Sequence, residues 1–483
     1  MNIQAQPKTR MTNTRWVICT MLFFALTVNY LDRQVLSLTW QEFIAPEFHW
    51  TNKHYGLIAA LFSLFYAGSM LFAGRFVDWM GTKKGYMWAI GVWSFGACLH
   101  AFCGIATSGI AAGNWFVGFE GAKEVLAGLS NVSKVINVSV VLFIIARFVL
   151  ALGEGGSFPA AIKATAEYFP KKDRAFATSI FNAGSTVGAL AAPLTIPFIA
   201  NAYGWEMTFI IIGALGFVWM GFWQFIYKKP EVNPHVNKAE LEYILQDTDS
   251  AEPVVEEEGK EKKLSFIQCF KFKQTWAFTI GKFMTDGVWW FYLFWAPAYL
   301  QSVYGMTSTQ IAFPLFILYM ITMLAIVGGW LPSYFIGKKG MNPYAGRMRA
   351  MLIFAFFPLL AMFAQPLGAY SYWFPVIIIG IAGAAHQAWS ANIFTTVGDM
   401  FPKSAVATVT GIGGAAGALA SFIINMSSGV LFDHAKETNM KFMGFEGIDS
   451  GYFVIFCICS VVYLLGWIIM KSLVPKYKVI EVK

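Results

Sequence analysis

Apolar residues run in long blocks along this chain, each divided from the next by a short polar or charged segment. The first block, Trp16 to Trp40, is broken only near its end by "NYLDRQVLS" (29–37). Crossing a hydrocarbon core takes roughly 20 helical residues, so apolar blocks of about 18–25 residues predict transmembrane helices rather than strands. Twelve are predicted, centred near residues 28, 66, 96, 152, 188, 216, 286, 321, 359, 384, 418 and 463. Polarity rises sharply at "FIYKKPEVNP" (225–234). The stretch that follows, with "AEPVVEEEGKEKKLS" (251–265), is charged and poor in aromatics, which predicts a solvated linker. The expected domains are a six-helix bundle at 1–226, a linker at 227–270 and a second six-helix bundle at 271–483.

Composition supports the same class. Hydrophobic residues make up 57% of the chain, charged residues 13%, and mean hydropathy is +0.55, where a soluble domain carries about 25% charged residues. The net charge of +8 does not point to nucleic acid, because the basic residues sit in short segments between spans, as orientation signals do. Lys83, Lys84, Arg174, Lys338, Lys339 and the linker lysines share the N-terminal side, with only Lys53, Lys123, Lys134, Lys436 and Lys441 opposite. Both termini are therefore expected in the cytosol. The six cysteines show neither a disulfide framework nor metal spacing. Trp16–Trp40 reads as a first span rather than a cleaved signal. No catalytic, nucleotide-binding or metal-ligating arrangement is present, so neither an enzyme nor a cofactor is expected.

The two halves echo each other. "GRFVDWMGTKK" (74–84) matches "GWLPSYFIGKK" (329–339), and "EYFPKKDRAFAT" (167–178) matches "DMFPKSAVAT" (399–408). The first half carries extra sequence between its two motifs, in the long segment 108–137, read as an amphipathic surface segment over the outer mouth. Internal repeats of this kind mark secondary transporters, whose binding site lies between the halves near mid-membrane.

"GRFVDWMGTKK" resembles the G-x-x-x-D-x-x-G-x-[RK]-[RK] signature after the second helix of the major facilitator superfamily. The resemblance implies the major facilitator fold: all-α, twelve transmembrane helices in two pseudo-symmetric six-helix bundles. It also implies a conformational latch of Gly74, Asp78, Gly81, Lys83 and Lys84. In such a latch Asp78 pairs with basic groups or helix ends in one state and lets go in the other. The plainer reading of Lys83 and Lys84 is orientation charge alone.

Four further stretches resemble the anion:cation symporter family: "NYLDRQVLS", "RFVLALGEGGSFPA" (147–160), "KFMTDGVWWFYLFWAPAYL" (282–300) and "AHQAWSAN" (385–392). Its bacterial members carry hexuronates and other sugar acids with protons, and "AHQA" with the tryptophan-rich seventh helix leans towards hexuronate carriers. The chain departs in segment 108–137 and in "GIGGAAGALAS" (411–421), which has no amide where galactonate-type members place an asparagine. The resemblance implies alternating-access, proton-coupled import of a hexuronate such as glucuronate or galacturonate. It implies a monomer in the bacterial inner membrane, with a sugar-acid anion, protons and lipid as partners. Alternatives are another organic anion (an aldonate or aromatic acid), sodium coupling, or anion exchange. A membrane sensor keeping the carrier fold is a rival from another class, but the linker has no recognisable output domain.

A charge near the bilayer centre costs at least about 2.5–3.5 kcal/mol on insertion scales, so each needs a partner or a wet cavity. The candidates are Asp32 with Arg33, Arg147 with Glu154, Lys163, and Lys282 with Asp286. Arg147 and Glu154 lie two turns apart on one helix face, about 10.5 Å, too far to pair fully. Asp32 and Arg33 are adjacent, roughly 100° apart around the helix, and must seek different neighbours. Pairing of Arg147 with Asp32 or Glu154 across helices is the expected arrangement, holding the net intramembrane charge near zero. Burial and a neighbouring arginine act on a carboxyl in opposite directions, so Asp32 and Glu154 are candidates to titrate. An entering carboxylate can take the free fork of an arginine and compete with a protein carboxylate, whose protonation frees that arginine. Proton and anion then favour each other's binding. The family resemblance implies the same division, with Tyr30, Arg33, Tyr66 and Arg147 at substrate or relay positions and Asp32 and Glu154 as proton carriers. The plain alternative is a set of structural ion pairs between the first and fourth helices.

Lys163 is expected to snorkel to the surface, and Lys282–Asp286, at i and i+4, can be a private pair. For the sugar body, Trp289, Trp290, Tyr292 and Trp295 offer flat faces, Trp290 being the favoured one. Gln387 and Asn392 are amides suited to hydroxyls, or to ordinary interhelical bonds. His386 reads as packed, and Asn182 and Ser185 as weaker lining residues.

Overall fold

The apolar blocks become helices. The computed structural model describes residues 11–249 and 266–480. Among them nine helices are long and apolar enough to cross a membrane, ten when a pair bent by 52° is joined. In chain order the spans are α1 (Thr14–Phe48), α2 (Asn52–Met80), and α3 (Thr82–Ala101 with Cys103–Ala112). Next come α4 (Val132–Tyr168) and α5 and α6, the parts of Lys171–Ile226 before and after Gly204. The second half has α7 (Lys273–Tyr304), α8 (Ala312–Gly337), α9 (Pro343–Gly368), α10 (Trp373–Met400), α11 (Lys403–Glu437) and α12 (Ile448–Leu473). Lys282 and Asp286 lower the hydropathy of α7, which at 32 residues is long enough to span.

Gly204 makes two spans of one continuous run. Its φ of 86° and ψ of 161° suit only glycine. Gly184 before it packs on Phe23, and Trp219 after it donates to the Met21 carbonyl at 2.8 Å. Both contacts lie at one level of α1, so the chain has reversed direction between them. Twelve spans result, as the hydropathy pattern predicts.

The start of α1, residues 227–249 and the Lys83–Lys84 turn share one surface, here the linker face. α1 packs on α5 and α6, α3 on α4, and α7 on α11 and α12, giving two bundles joined along an α2–α11 seam and an α5–α8 seam. The hydrogen bonds seen between the bundles lie at mid-depth or towards the opposite face. Asp433 of α11 accepts the backbone N–H groups of Asn52 (3.0 Å) and Lys53 (2.8 Å) and the Asn52 amide (2.9 Å), capping α2 from the other bundle. Glu42 likewise accepts the backbone N–H of Ser308, and Gln41 donates to Ser302 at 2.7 Å. Deeper in, the Tyr55 hydroxyl donates to the Phe294 carbonyl, and the Ser63 and Ser421 hydroxyls meet at 2.7 Å.

Two expectations are corrected. Residues 227–249 are not free linker but part of the first bundle. Glu240, in the helix Lys238–Asp249, is fully buried and accepts from the Thr12 hydroxyl, the Thr14 and Arg15 backbone N–H groups, and the Arg15 guanidinium. The unpaired N–H groups at the start of a helix need acceptors and favour an anion, and this carboxylate supplies both for α1. The charged stretch 251–265 lies outside the described residues, as do Lys8, Arg10 and Lys483 among the orientation charges. The second correction concerns segment 108–137. Its helix Phe119–Ala127 buries Ala122 and Leu126 against the end of α1 and the outer part of α3, on the flank of one bundle rather than over the mouth. Lys123 there meets Glu120 and Glu206 at 2.9 and 3.2 Å.

Candidate functional site

α1 and α4 bring four charges together between the bundles. Asp32, Arg33, Arg147 and Glu154 are all buried, none more than 4% exposed. Asp32 and Arg33 do point to different neighbours. Arg33 donates through Nε (3.1 Å) and Nη2 (2.6 Å) to a single oxygen of Glu154, Oε2, leaving Oε1 without a partner among the described residues. Both Asp32 oxygens, and Arg147 Nε and Nη1, also lack hydrogen-bond partners among the described residues. The expected pairing is therefore corrected: Arg33, not Arg147, holds Glu154. Position explains it, because Arg33 faces Glu154 from the neighbouring helix while Arg147 stands two turns away from it along the same one.

Aromatic rings enclose the Arg33 guanidinium. Its central carbon lies 4.7 Å from the Tyr66 ring centroid, 5.0 Å from Tyr30, 5.3 Å from Trp290 and 5.9 Å from Phe62. Phe62 also covers Arg147 at 5.1 Å. Cations over ring faces are attracted by the ring quadrupole, more so when desolvated, so this cage holds Arg33 where water is scarce. Trp290 belongs to that cage and reaches it from the second bundle, where α7 also packs Phe294 on Phe62.

Beside the cage lies a cavity of about 470 Å³ between the bundles. Tyr30 closes one end. Asn182, Ser185, Thr186 and Ala189 of α5 form one wall, and Trp289, Tyr319, Thr322, Met323, Ala325 and Gln387 form the other. Its size falls in the usual range for a small-molecule site, about 300–1,000 Å³, and its wall mixes hydroxyls, amides and aromatic faces. Close approach of α1 and α5 shapes it: a Cβ at Gly188 would lie 2.4 Å from the Thr27 carbonyl oxygen and 2.8 Å from Tyr30 Cβ. A groove of about 530 Å³ among α2, α3 and α4 is a poorer candidate. Exposed Phe72, Trp88 and Phe148 line it on the bundle flank, and its Ser69 already donates to the Leu152 carbonyl.

The Major Facilitator Superfamily matches residues 22–425. The chain belongs to that superfamily. Curated relatives include the hexuronate transporter of Escherichia coli (strain K12), 27% identical over 97% of this chain and 96% of that one. The galacturonate transporter of Dickeya chrysanthemi is 28% identical over 66% of this chain and 82% of its own. A probable galactarate/D-glucarate transporter of Escherichia coli (strain K12) is 25% identical over 85% and 89%. Among solved structures, an inward-facing, unoccupied bacterial homologue of the lysosomal transporter Spinster superposes with a TM-score of 0.66 at 18% identity, covering 97% of this chain and 99% of that one. A D-xylose–proton symporter gives 0.63 at 15%, covering 94% and 97%. This is a membrane transporter of the major facilitator fold, not an enzyme.

The superfamily's signature turn lies on the linker face. Asp78 pairs with Lys163 at 2.7 Å within the first bundle, so Lys163 does more than snorkel. Lys83 donates to the Gln224 carbonyl at 2.6 Å, in the last turn of α6. Gly81 takes a φ of 78° between α2 and α3, Gly74 faces open space and Lys84 is exposed.

Other candidates fall away from the cavity. Asn392 donates to the Gly328 and Ala388 carbonyls, both at 2.8 Å, tying α10 to α8. Lys282 and Asp286 form a private pair at 2.7 Å. His386 is packed, as read: its Nδ1 meets the Tyr463 hydroxyl at 2.8 Å. Tyr319, Thr322 and Phe62 went unnoticed in the sequence, where one more hydroxyl or ring in an apolar run carries no signal.

Proposed function

We propose that this transporter is a proton-coupled symporter importing a hexuronate, such as glucuronate or galacturonate, by alternating access. The two bundles, the first including residues 227–249, rock around the cavity in a monomer of the bacterial inner membrane, with the linker face in the cytosol. The distribution of lysines and arginines supports that orientation.

One observation carries the reading: Arg33 is fastened to a single oxygen of Glu154 against Tyr30, which lines a sugar-sized cavity, while Asp32 is buried with neither oxygen bonded. A carboxylate entering beside Tyr30 can take the Arg33 fork bidentately. Glu154 then loses its counter-charge and takes a proton. Asp32 can accept a proton without breaking any hydrogen bond, and with Arg147 it balances the rest of the cluster. Tyr66 and Trp290 keep Arg33 in place. Gln387, Asn182 and Ser185 offer donors and acceptors to the hydroxyls. Breaking the Asp78–Lys163 and Lys83–Gln224 contacts is the natural latch step. Names of relatives at 25–28% identity support a sugar acid as cargo.

The test is uptake of radiolabelled glucuronate or galacturonate into proteoliposomes under an imposed inward proton gradient. Accumulation above equilibrium is expected and should collapse with a protonophore. Counterflow without gradient-driven accumulation would overturn symport in favour of exchange.

A further inference from the structure

Trp289 and Trp290 are neighbours on α7, and the structure gives them different work. Trp290 turns to the Arg33 cage, whereas Trp289 forms part of the cavity wall. The back of the Trp289 ring stacks on His386 with centroids 5.5 Å apart and planes within 5° of parallel. His386 is 4% exposed, and its Nδ1 lies 2.8 Å from the Tyr463 hydroxyl, which also donates to the Thr285 carbonyl at 3.3 Å. Gly383 lies beside the ring and lets Thr322 of the same cavity wall approach, since a Cβ there would lie 2.9 Å from Thr322 Cγ2. The indole N–H has no acceptor among the described residues. One aromatic face is therefore braced by a packed imidazole, and the ring so held forms part of the cavity wall. Gln387, the residue after His386, stands beside it.

We infer that Trp289, positioned by His386 and Tyr463, is a platform that selects the closed pyranose ring of a sugar acid over an open-chain acid of the same length. A uronate keeps its aldehyde carbon, so it closes into a ring with one flat face of C–H groups. An aldonate or an aldarate has no aldehyde and stays an extended polyol. A rigid indole can lie against the first over its whole face, while a flexible chain touches it at one or two carbons and loses more conformational freedom on binding. With the carboxylate on Arg33 and Tyr30 between, the ring of a hexuronate comes to the Trp289 side of the cavity. This inference rests on the sugar-acid reading above but not on proton coupling.

The experiment is equilibrium binding of galacturonate and galactonate to the purified full-length protein, without any gradient. Wild type should bind galacturonate about tenfold more tightly than galactonate. Trp289→Leu should bring that ratio close to one, chiefly by weakening galacturonate, and Trp289→Phe should keep most of it. Tyr463→Phe, which removes only the hydroxyl on His386, should lower the ratio severalfold and serves as the test if the leucine variant fails to fold. A wild-type ratio near one, a ratio unchanged in the variants, or equal weakening of both acids overturns the platform. Ring selectivity without gradient-driven uptake would leave the platform standing and sink the coupling mechanism instead.

Discussion

Glu154 uses one oxygen where it has two, and this half-made contact is the feature most open to test. A bidentate Arg33–Glu154 pair would be a stable strut. A pair converging on Oε2, with Oε1 unbonded, is easier for an incoming carboxylate to displace. Glu154→Gln keeps the shape but removes the charge that must be neutralised. We expect it to abolish gradient-driven uptake while counterflow of labelled substrate persists. Intact concentrative uptake in that variant would rule out Glu154 as a proton carrier. Arg33→Lys should cost at least tenfold in apparent affinity, read as KM in counterflow, because a lysine ammonium cannot fork between two acceptors. The opposite headings of Asp32 and Arg33 were legible from adjacency alone. Which carboxylate Arg33 would meet was not, because that depends on the rotation of α4 about its axis, and the Arg147–Glu154 spacing fits several rotations. The two tryptophans were ambiguous for the same reason: one step along a helix turns a side chain by about 100°, and nothing local says which of two rings faces the cavity.

The helices themselves could be read from apolar length, including the charged α7, since hydrophobic blocks of span length have few other stable uses. Their terminations were harder. The α1 N-terminus is completed by Glu240, more than two hundred residues away, in a stretch whose polar composition argued for solvent. Composition reports whether a segment can bury apolar surface, and Glu240 is held instead by four donors, one of them the buried Arg15 guanidinium. Removing one partner of a buried pair leaves the other charge uncompensated, at a cost of about 3 kcal/mol or more. Glu240→Ala should therefore lower the thermal midpoint of the detergent-solubilised protein by several degrees. Glu242→Ala, on the same helix but exposed to solvent with only a 4.0 Å contact to Lys238, should leave it unchanged. Equal midpoints for the two variants would show that the cap contributes little.

Across the molecule, two carboxylates at the opposite face each cap backbone in the other bundle, Asp433 on α2 and Glu42 on Ser308. A capping side chain is worth roughly 0.5–2 kcal/mol, and 1.4 kcal/mol is a factor of ten in an equilibrium. Asp433→Ala should shift the population towards opening at that face by about two- to thirtyfold. A cysteine placed at Ser63, on a background lacking the native cysteines, should then react faster with an impermeant thiol reagent applied to that side. An unchanged rate would mean that the α2–α11 packing closes the face without the cap. Sequence could foresee two bundles and a site between them, but not these caps, because each joins an ordinary acidic residue to the start of a distant segment. The buried cluster carries a last consequence, for energetics. Two guanidiniums and two carboxylates sum to zero, and one monovalent anion arriving with one proton leaves the sum at zero. Neither the loaded nor the empty carrier then moves net charge, so the membrane voltage does no work on the cycle. In the proposed one-proton symport only the pH difference would drive accumulation, at about 1.36 kcal/mol or tenfold per unit. Clamping a potassium–valinomycin potential of either sign should leave initial uptake unchanged; faster uptake at an inside-negative potential would show that more than one proton travels with each anion, and slower uptake that the anion travels without one.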